Sequence, residues 1–295
     1  MNNTLRHCKI IVPVDFSDFC RRAFPVAQEF ARFFEGMITP FHAYDLYSDL
    51  DGYHYLHEQL SLDGDPLTIH QQLEQALEKF TENAIDRSYL AGCIANNDND
   101  PVDAIIEASR AFDLVVMSSH GRKGFSRILL GAVAEKVLRL TDKPIVIVED
   151  DSHLRPIEKI LVTTDFSENS YAALPYARDI ARAANAEIHL FHAVAGEHLT
   201  PQQFEKIQHD CLEKMRGLAA QHLSDLEDNM HFFVVLSDDS IHNAIRQHIG
   251  QQHYNLLIMS TLGRAGNDHP LGLGSTIATL VRAVNTTIMA VKPAA

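Results

Sequence analysis

The stretch Met117-Ser118-Ser119-His120-Gly121-Arg122-Lys123-Gly124 has the residue types of an anion site, and Gly131-Ala132-Val133 follows where a helix would open. Glycines let backbone N–H groups come close to a phosphate, and a helix N-terminus adds unsatisfied donors and a positive dipole end. Arg122 and Lys123 add charge. The pattern is neither a Walker A loop nor a GxGxxG fingerprint. The competing structural reading is that a tight strand-to-helix turn needs glycine whatever the loop binds. Asp15 and Asp165 each close a short apolar run. A carboxylate there can meet the base or ribose of a nucleotide, or it can build a turn or cap.

Histidine is frequent, at 17 residues. His54 and His57 stand three apart in Tyr53-His54-Tyr55-Leu56-His57, a spacing that places both on one helix face and can serve a metal or a metal-dependent enzyme or switch. A surface histidine-rich stretch explains the same residues, and no third ligand is fixed. His42 and His192 fall on predicted strands beside Phe and read as core or switch-point histidines making a hydrogen bond; His120 lies within the glycine loop. No GxSxG elbow and no HExxH motif is present, so no nucleophile constellation emerges and no catalytic residue is assigned. Phe24, Phe30, Phe33 and Phe34 recur at helical spacing and read as core.

The elements that must position these residues come in two copies. Lys9-Ile10-Ile11-Val12-Pro13-Val14-Asp15-Phe16-Ser17-Asp18 returns as Lys159-Ile160-Leu161-Val162-Thr163-Thr164-Asp165-Phe166-Ser167-Glu168, an offset of 150 residues. The offset persists through Pro25/Pro175, Arg32/Arg182 and Phe41-His42-Ala43 against Phe191-His192-Ala193. That period is too long for a solenoid and fits two copies of one domain, 1–150 and 151–295, joined by an acidic linker over 149–158. In each copy short β-branched runs (10–14, 37–43, 114–118, 145–148; then 187–194, 256–260, 288–291) and weaker ones at 92–96 and 231–236 alternate with helical patterns near 19–34, 67–90, 101–111, 169–184, 201–224 and 240–250. Pro25 and Pro175 imply that their helices start after Ser17 and Ser167 or kink. The order predicts an α/β fold: two tandem doubly wound parallel sheets, with ligands beyond the carboxyl ends of the strands.

The net charge of −14 and the lack of any basic run disfavour a nucleic-acid partner. The four cysteines, Cys8, Cys20, Cys93 and Cys211, form no CxxC pair, which suits a reducing compartment. No apolar run approaches the length of a membrane helix, and the first residues do not read as a signal peptide. The expectation is a cytoplasmic protein without a membrane partner.

The opening KIIVPVDFSD, the strand PFHA and above all DLVVMSSHGRKGFSRILLGAVAEKVLRLTDKPIVIV (113–148) resemble the universal stress protein family. KILVTTDFSENSYAALPYA, HLFHAV and LGLGSTIATLVRAVNTTIMAVK carry the resemblance through the second half. It implies a five-stranded, Rossmann-like domain, twice, acting in stress response. It further implies that the halves pair with each other through their last strands, and it leaves a further homodimer open. One branch of that family binds ATP through G-x-x-G, nine residues, then G-[S/T]; another branch lacks the motif and binds no nucleotide. The first half matches at Ser118, Gly121, Gly131 and Ala132 with the nine-residue spacing intact. The second matches at Ser260, Gly263, Gly274 and Ser275 with ten residues between, and with Asn267-Asp268-His269-Pro270 in the loop. Adenine-side contacts would come from Pro13, Val14, Asp15 and Ala43, or from Thr163, Thr164, Asp165 and Ala193. Met117, Arg122, Lys123 and Val133 complete the first set; Met259, Arg264 and Thr276 complete the second. The resemblance implies a regulator binding ATP or another adenine nucleotide, alone or with magnesium, with at most slow hydrolysis. The intact spacing and the basic pair favour the first half. A scaffold that binds no nucleotide is the alternative.

Overall fold

Runs such as Ile10-Ile11-Val12 and Val115-Val116 are apolar at every position because both faces of their sheets are covered; all five of these side chains are fully buried. The computed structural model describes residues 4–44, 66–97, 100–120, 130–149, 156–196, 199–237, 239–264 and 273–293. The chain divides into two compact units, Arg6–His153 and a second made of Leu154–Ala295 with Met1–Leu5.

The first unit runs β1 (Lys9–Pro13), α1 (Ala23–Phe34), β2 (Met37–Tyr44), α2 (Pro66–Thr81), β3 (Ile94–Asn97), α3 (Pro101–Ser109), β4 (Leu114–Ser118), α4 (Ala132–Leu140) and β5 (Ile145–Val148). Its strands lie in the order β3-β2-β1-β4-β5, all parallel. The second unit runs β6 (Lys159–Thr163), α5 (Glu168–Tyr171), α6 (Ala173–Ala184), β7 (Glu187–Ala195), α7 (Pro201–His222), β8 (Met230–Ser237), α8 (Ile241–Gln252), β9 (Leu256–Ser260), α9 (Ser275–Leu280) and β10 (Thr287–Val291). Its order is β8-β7-β6-β9-β10, again parallel. Strand order therefore reverses between β1 and β4 and between β6 and β9, which are the topological switch points.

Local chemistry accounts for the boundaries. Pro25 and Pro175 sit third in helices that begin at Ala23 and Ala173, within the first turn, where a missing N–H costs nothing. Ser17 and Ser167 cap the turns that precede these helices, each hydroxyl accepting from the N–H three residues on, Cys20 and Ser170, at 3.2 Å. Both helices end on a left-handed residue, Glu35 (φ 53°) and Asn185 (φ 54°). The helical pattern read over 67–90 stops at Thr81, and 87–89 form a separate short turn capped by Asp86. Among the described residues, no helix is long and apolar enough to cross a membrane.

Phe24, Phe30, Phe34 and Phe41 fill the first core, and Phe191 sits in the second. Glu149, read as the start of the linker, is buried at the end of β5.

Candidate functional site

Strand β6 ends in a locked bend. Ser167 donates both its N–H and its hydroxyl to Asp165 Oδ1, at 3.0 and 2.5 Å. The bend holds Phe166 at φ 62°, in the left-handed region that non-glycine residues seldom occupy. The Phe166 ring packs 4.4 Å from that of His192. His192 Nδ1 faces the Thr164 carbonyl at 2.8 Å, and because a carbonyl only accepts, this nitrogen carries the proton. Burial lowers the His192 pKa against the opposing pull of that carbonyl, so the ring is neutral at pH 7. The first unit repeats the device: Ser17 binds Asp15 Oδ1 at 3.0 and 2.6 Å, Phe16 has φ 62°, and His42 meets the Phe16 ring at 4.8 Å and the Val14 carbonyl at 2.7 Å. Both aspartates thus build turns, and both strand histidines make the hydrogen bond that the sequence suggested.

The segment after β9 comes back to the same place. Gly274 caps α9 and donates its N–H to the Thr261 carbonyl at 2.7 Å. A Cβ on Gly274 would stand 3.1 Å from that oxygen, a contact that only glycine makes without adjustment. Nearer the strand, the Arg264 N–H donates to Asp165 Oδ2 at 2.8 Å, and Arg264 Nε donates to the Asp165 carbonyl at 2.9 Å. Gly263 lies so close beneath that an added Cβ would sit 2.6 Å from Asp165 Oδ2. Burial alone would raise the Asp165 pKa, but the donors from Ser167, Arg264 and Ser170 outweigh it and hold the carboxyl below its ordinary range. The side chain is therefore a fixed anion that ties β6 to the β9 loop.

Between these parts lies a cavity of about 520 Å³, within the roughly 300–1,000 Å³ of small-molecule sites. Thr163, Thr164, Asp165, Ala193, Met259, Ser260, Gly263, Arg264, Gly274, Ser275 and Thr276 all line it, so the complete second-half set converges on one space. Sequence reasoning had missed its apolar wall, Ile241 and Ile245 of α8 with Phe191 and Ile277. The only sequence signal for that wall is the four-residue spacing of the two isoleucines. The cavity lies at the switch point between β6 and β9.

In the first unit, Pro13 closes β1, and the Val14 N–H donates to the Phe41 carbonyl at 2.8 Å. Ala43 is half-buried in β2. Met117 and Ser118 end β4, and the Ser118 hydroxyl donates to the His120 carbonyl at 2.7 Å. Gly131 caps α4, which Ala132 and Val133 open, and its N–H donates to the Ser119 carbonyl at 2.8 Å, matching Gly274. Gly121, Arg122 and Lys123 lie outside the described residues, as do His54 and His57. At the end of β5, Glu149 is held against the Ser119 hydroxyl and the Arg22 charge; burial outweighs both and pushes its carboxyl up to about 7. Burial disfavours the thiolate at all four cysteines: it pushes Cys8 and Cys20 up to about 12 and Cys93 up to about 11, and raises Cys211 as well.

A parallel sheet with a glycine-capped helix beside its switch point defines a Rossmann-like domain, present twice, and in the second unit a cavity lies at that point. A profile of the universal stress protein family matches residues 8–149 and again 156–292, so the chain belongs to that family. A universal stress protein of Mycobacterium tuberculosis is 31% identical over 96 residues, covering 32% of each chain. One from Methanocaldococcus jannaschii is 29% identical over 147 residues, covering 48% of this chain and 81% of its own. The match thus spans about a third of the mycobacterial relative's length. Among solved structures, a universal stress protein from Archaeoglobus fulgidus superposes with a TM-score of 0.66 at 23% identity, over 99% of this chain and 98% of that one. A Pseudomonas aeruginosa protein described as functionally unknown gives 0.69 at 17% identity, over 99% and 95%. These two likenesses concern the fold.

Proposed function

We propose that this chain is a stress-response regulator of the cytoplasm that binds an adenine nucleotide, with the second-half cavity as one site. One observation carries the reading: the residues that family resemblance assigns to the nucleotide from β6, β7, β9 and the start of α9 line a single cavity. Its apolar wall of Ile241, Ile245 and Phe191 suits a purine face, and Arg264 with the Ser275 and Thr276 end suits phosphates. The first-half set, with Arg122 and Lys123, is proposed as an unequal counterpart. Four free cysteines fit the cytoplasmic setting.

Calorimetry with ATP, with and without magnesium, tests this on the full chain. Binding is expected in wild type, and Gly274→Val is expected to weaken it about tenfold or more, because its branched side chain meets the Thr261 carbonyl. Gly121→Val is the corresponding test of the first half, where it is expected to weaken ATP binding without unfolding the domain. Folded wild type giving no heat at millimolar ATP would overturn the reading in favour of a scaffold that binds no nucleotide.

A further inference from the structure

The second unit holds another cluster, at the amino-terminal ends of its strands and so at the far end of the sheet from the cavity. Glu187 and His189 are two apart on β7 and share a face. His231 on β8 is the register partner of His189. One ligand atom from each of Glu187, His189 and His231 lies within 4.8 Å of the others. His189 is 3% exposed, yet its Nε2 makes no hydrogen bond among the described residues; Glu187 Oε2 stands 3.5 Å away, at the limit of one. A buried nitrogen left in this way is unfavourable unless something occupies it.

The other ring nitrogen is well held. His189 Nδ1 lies 2.7 Å from the Tyr254 hydroxyl, which lies 2.8 Å from His248 Nε2. We propose that Glu187, His189 and His231 bind a divalent transition-metal ion of the zinc class. Two imidazoles and one carboxylate are a borderline-soft donor set that zinc accepts, with a fourth position open to water on the exposed side. An ion on His189 Nε2 requires the proton on Nδ1. Nδ1 then donates to Tyr254, and the Tyr254 proton goes to His248, so the chain of three runs in one direction. This is the outer-sphere support that metal-bound histidines usually have. Glu187 and His231 are exposed, and small rotations of their side chains would close the 4.8 Å spread to tetrahedral separations. Lys159, register partner of Glu187 on β6, opposes the ion's charge. The ion would tie edge strand β8 to β7.

The test uses the full chain, zinc chloride and a chromophoric competing chelator. The comparison is wild type against Glu187→Gln and His231→Ala, two exposed positions whose urea midpoints without metal report the fold. Each variant is expected to bind zinc about tenfold more weakly or worse at one site per chain, and to lose the zinc-dependent rise in melting temperature. Cobalt(II) in place of zinc is expected to give a tetrahedral absorption band in wild type that the variants lack. With 17 histidines, zinc can also bind elsewhere. Variants matching wild type in stoichiometry, affinity and cobalt spectrum would overturn the assignment, and so would wild type that binds no zinc at micromolar concentration.

Discussion

Gly263→Val is expected to weaken adenine-nucleotide binding by the second unit by roughly ten- to a hundredfold while leaving the unit folded. Any Cβ at this position would stand 2.6 Å from Asp165 Oδ2, closer than two such atoms approach. The loop must lift, and lifting breaks the Arg264 N–H bond to Oδ2 and the Arg264 Nε bond to the Asp165 carbonyl. A hydrogen bond to a charged group is worth about 1.5–3 kcal/mol, and each 1.4 kcal/mol is tenfold in affinity. The same loss lowers the unit's stability by about the same amount, short of unfolding a typical domain. Gly217→Ala is the control. Nothing lies within 4 Å of its added Cβ, and it sits within helix α7, so it is expected to be neutral or to stabilise by about 0.5–1 kcal/mol. Calorimetry with ATP and urea unfolding of both variants provide the check. A Gly263→Val protein that binds as wild type would show that the Asp165–Arg264 link has no part in the site.

The second large effect concerns pH. Glu149 has a pKa of about 7 in the folded chain against an ordinary 4.5, chiefly because it is buried. Between these two values the folded protein keeps a proton that the unfolded chain has released, so stability falls as pH rises through that window and levels off above it. One pKa unit corresponds to about 1.4 kcal/mol, which sets the whole effect on the order of 3–4 kcal/mol at most. Glu149→Gln keeps the shape and an oxygen to accept from Ser119, and it removes the titration. The variant is expected to match wild type near pH 4.5, to exceed it by up to that amount at pH 8, and to flatten the slope between. Urea midpoints at several pH values measure this. A variant less stable than wild type at pH 8 would mean that the carboxylate's attraction to Arg22 outweighs its desolvation.

Much of the architecture was legible because it is written in local chemistry. Strands 114–118 and 256–260 were readable from unbroken apolar runs, since both faces are covered. Asp165 and Ser167 are two apart in sequence and clasp each other locally, and the cavity's polar lining follows from its residues' matches to the family motif. What escaped depends on partners distant in the chain. Ile241 and Ile245 look like any amphipathic helix until α8 is laid on the sheet. Glu187 and His189 acquire His231 only through a strand register that no motif encodes. Glu149 read as linker because an acidic residue beside Asp150 and Asp151 gives no hint of burial. The basic pair Arg122-Lys123, which favoured the first half in sequence, lies outside the described residues, whereas the second half's geometry can be stated residue by residue.

The Asp-Phe-Ser bend is built twice in this chain, from Asp15-Phe16-Ser17 and from Asp165-Phe166-Ser167. Its parts are the same in both copies down to the left-handed phenylalanine and the histidine beneath it. The molecule therefore contains its own replicate experiment. The Asp–Ser clasp and the histidine beneath it come from within each copy, and in the second copy Arg264 of the β9 loop adds two further bonds to Asp165. Around the loops the copies differ, Ala132 against Ser275, Ser119 against Thr261 and buried Glu149 against Lys292, so comparing the two units holds the bend constant while the loop chemistry varies.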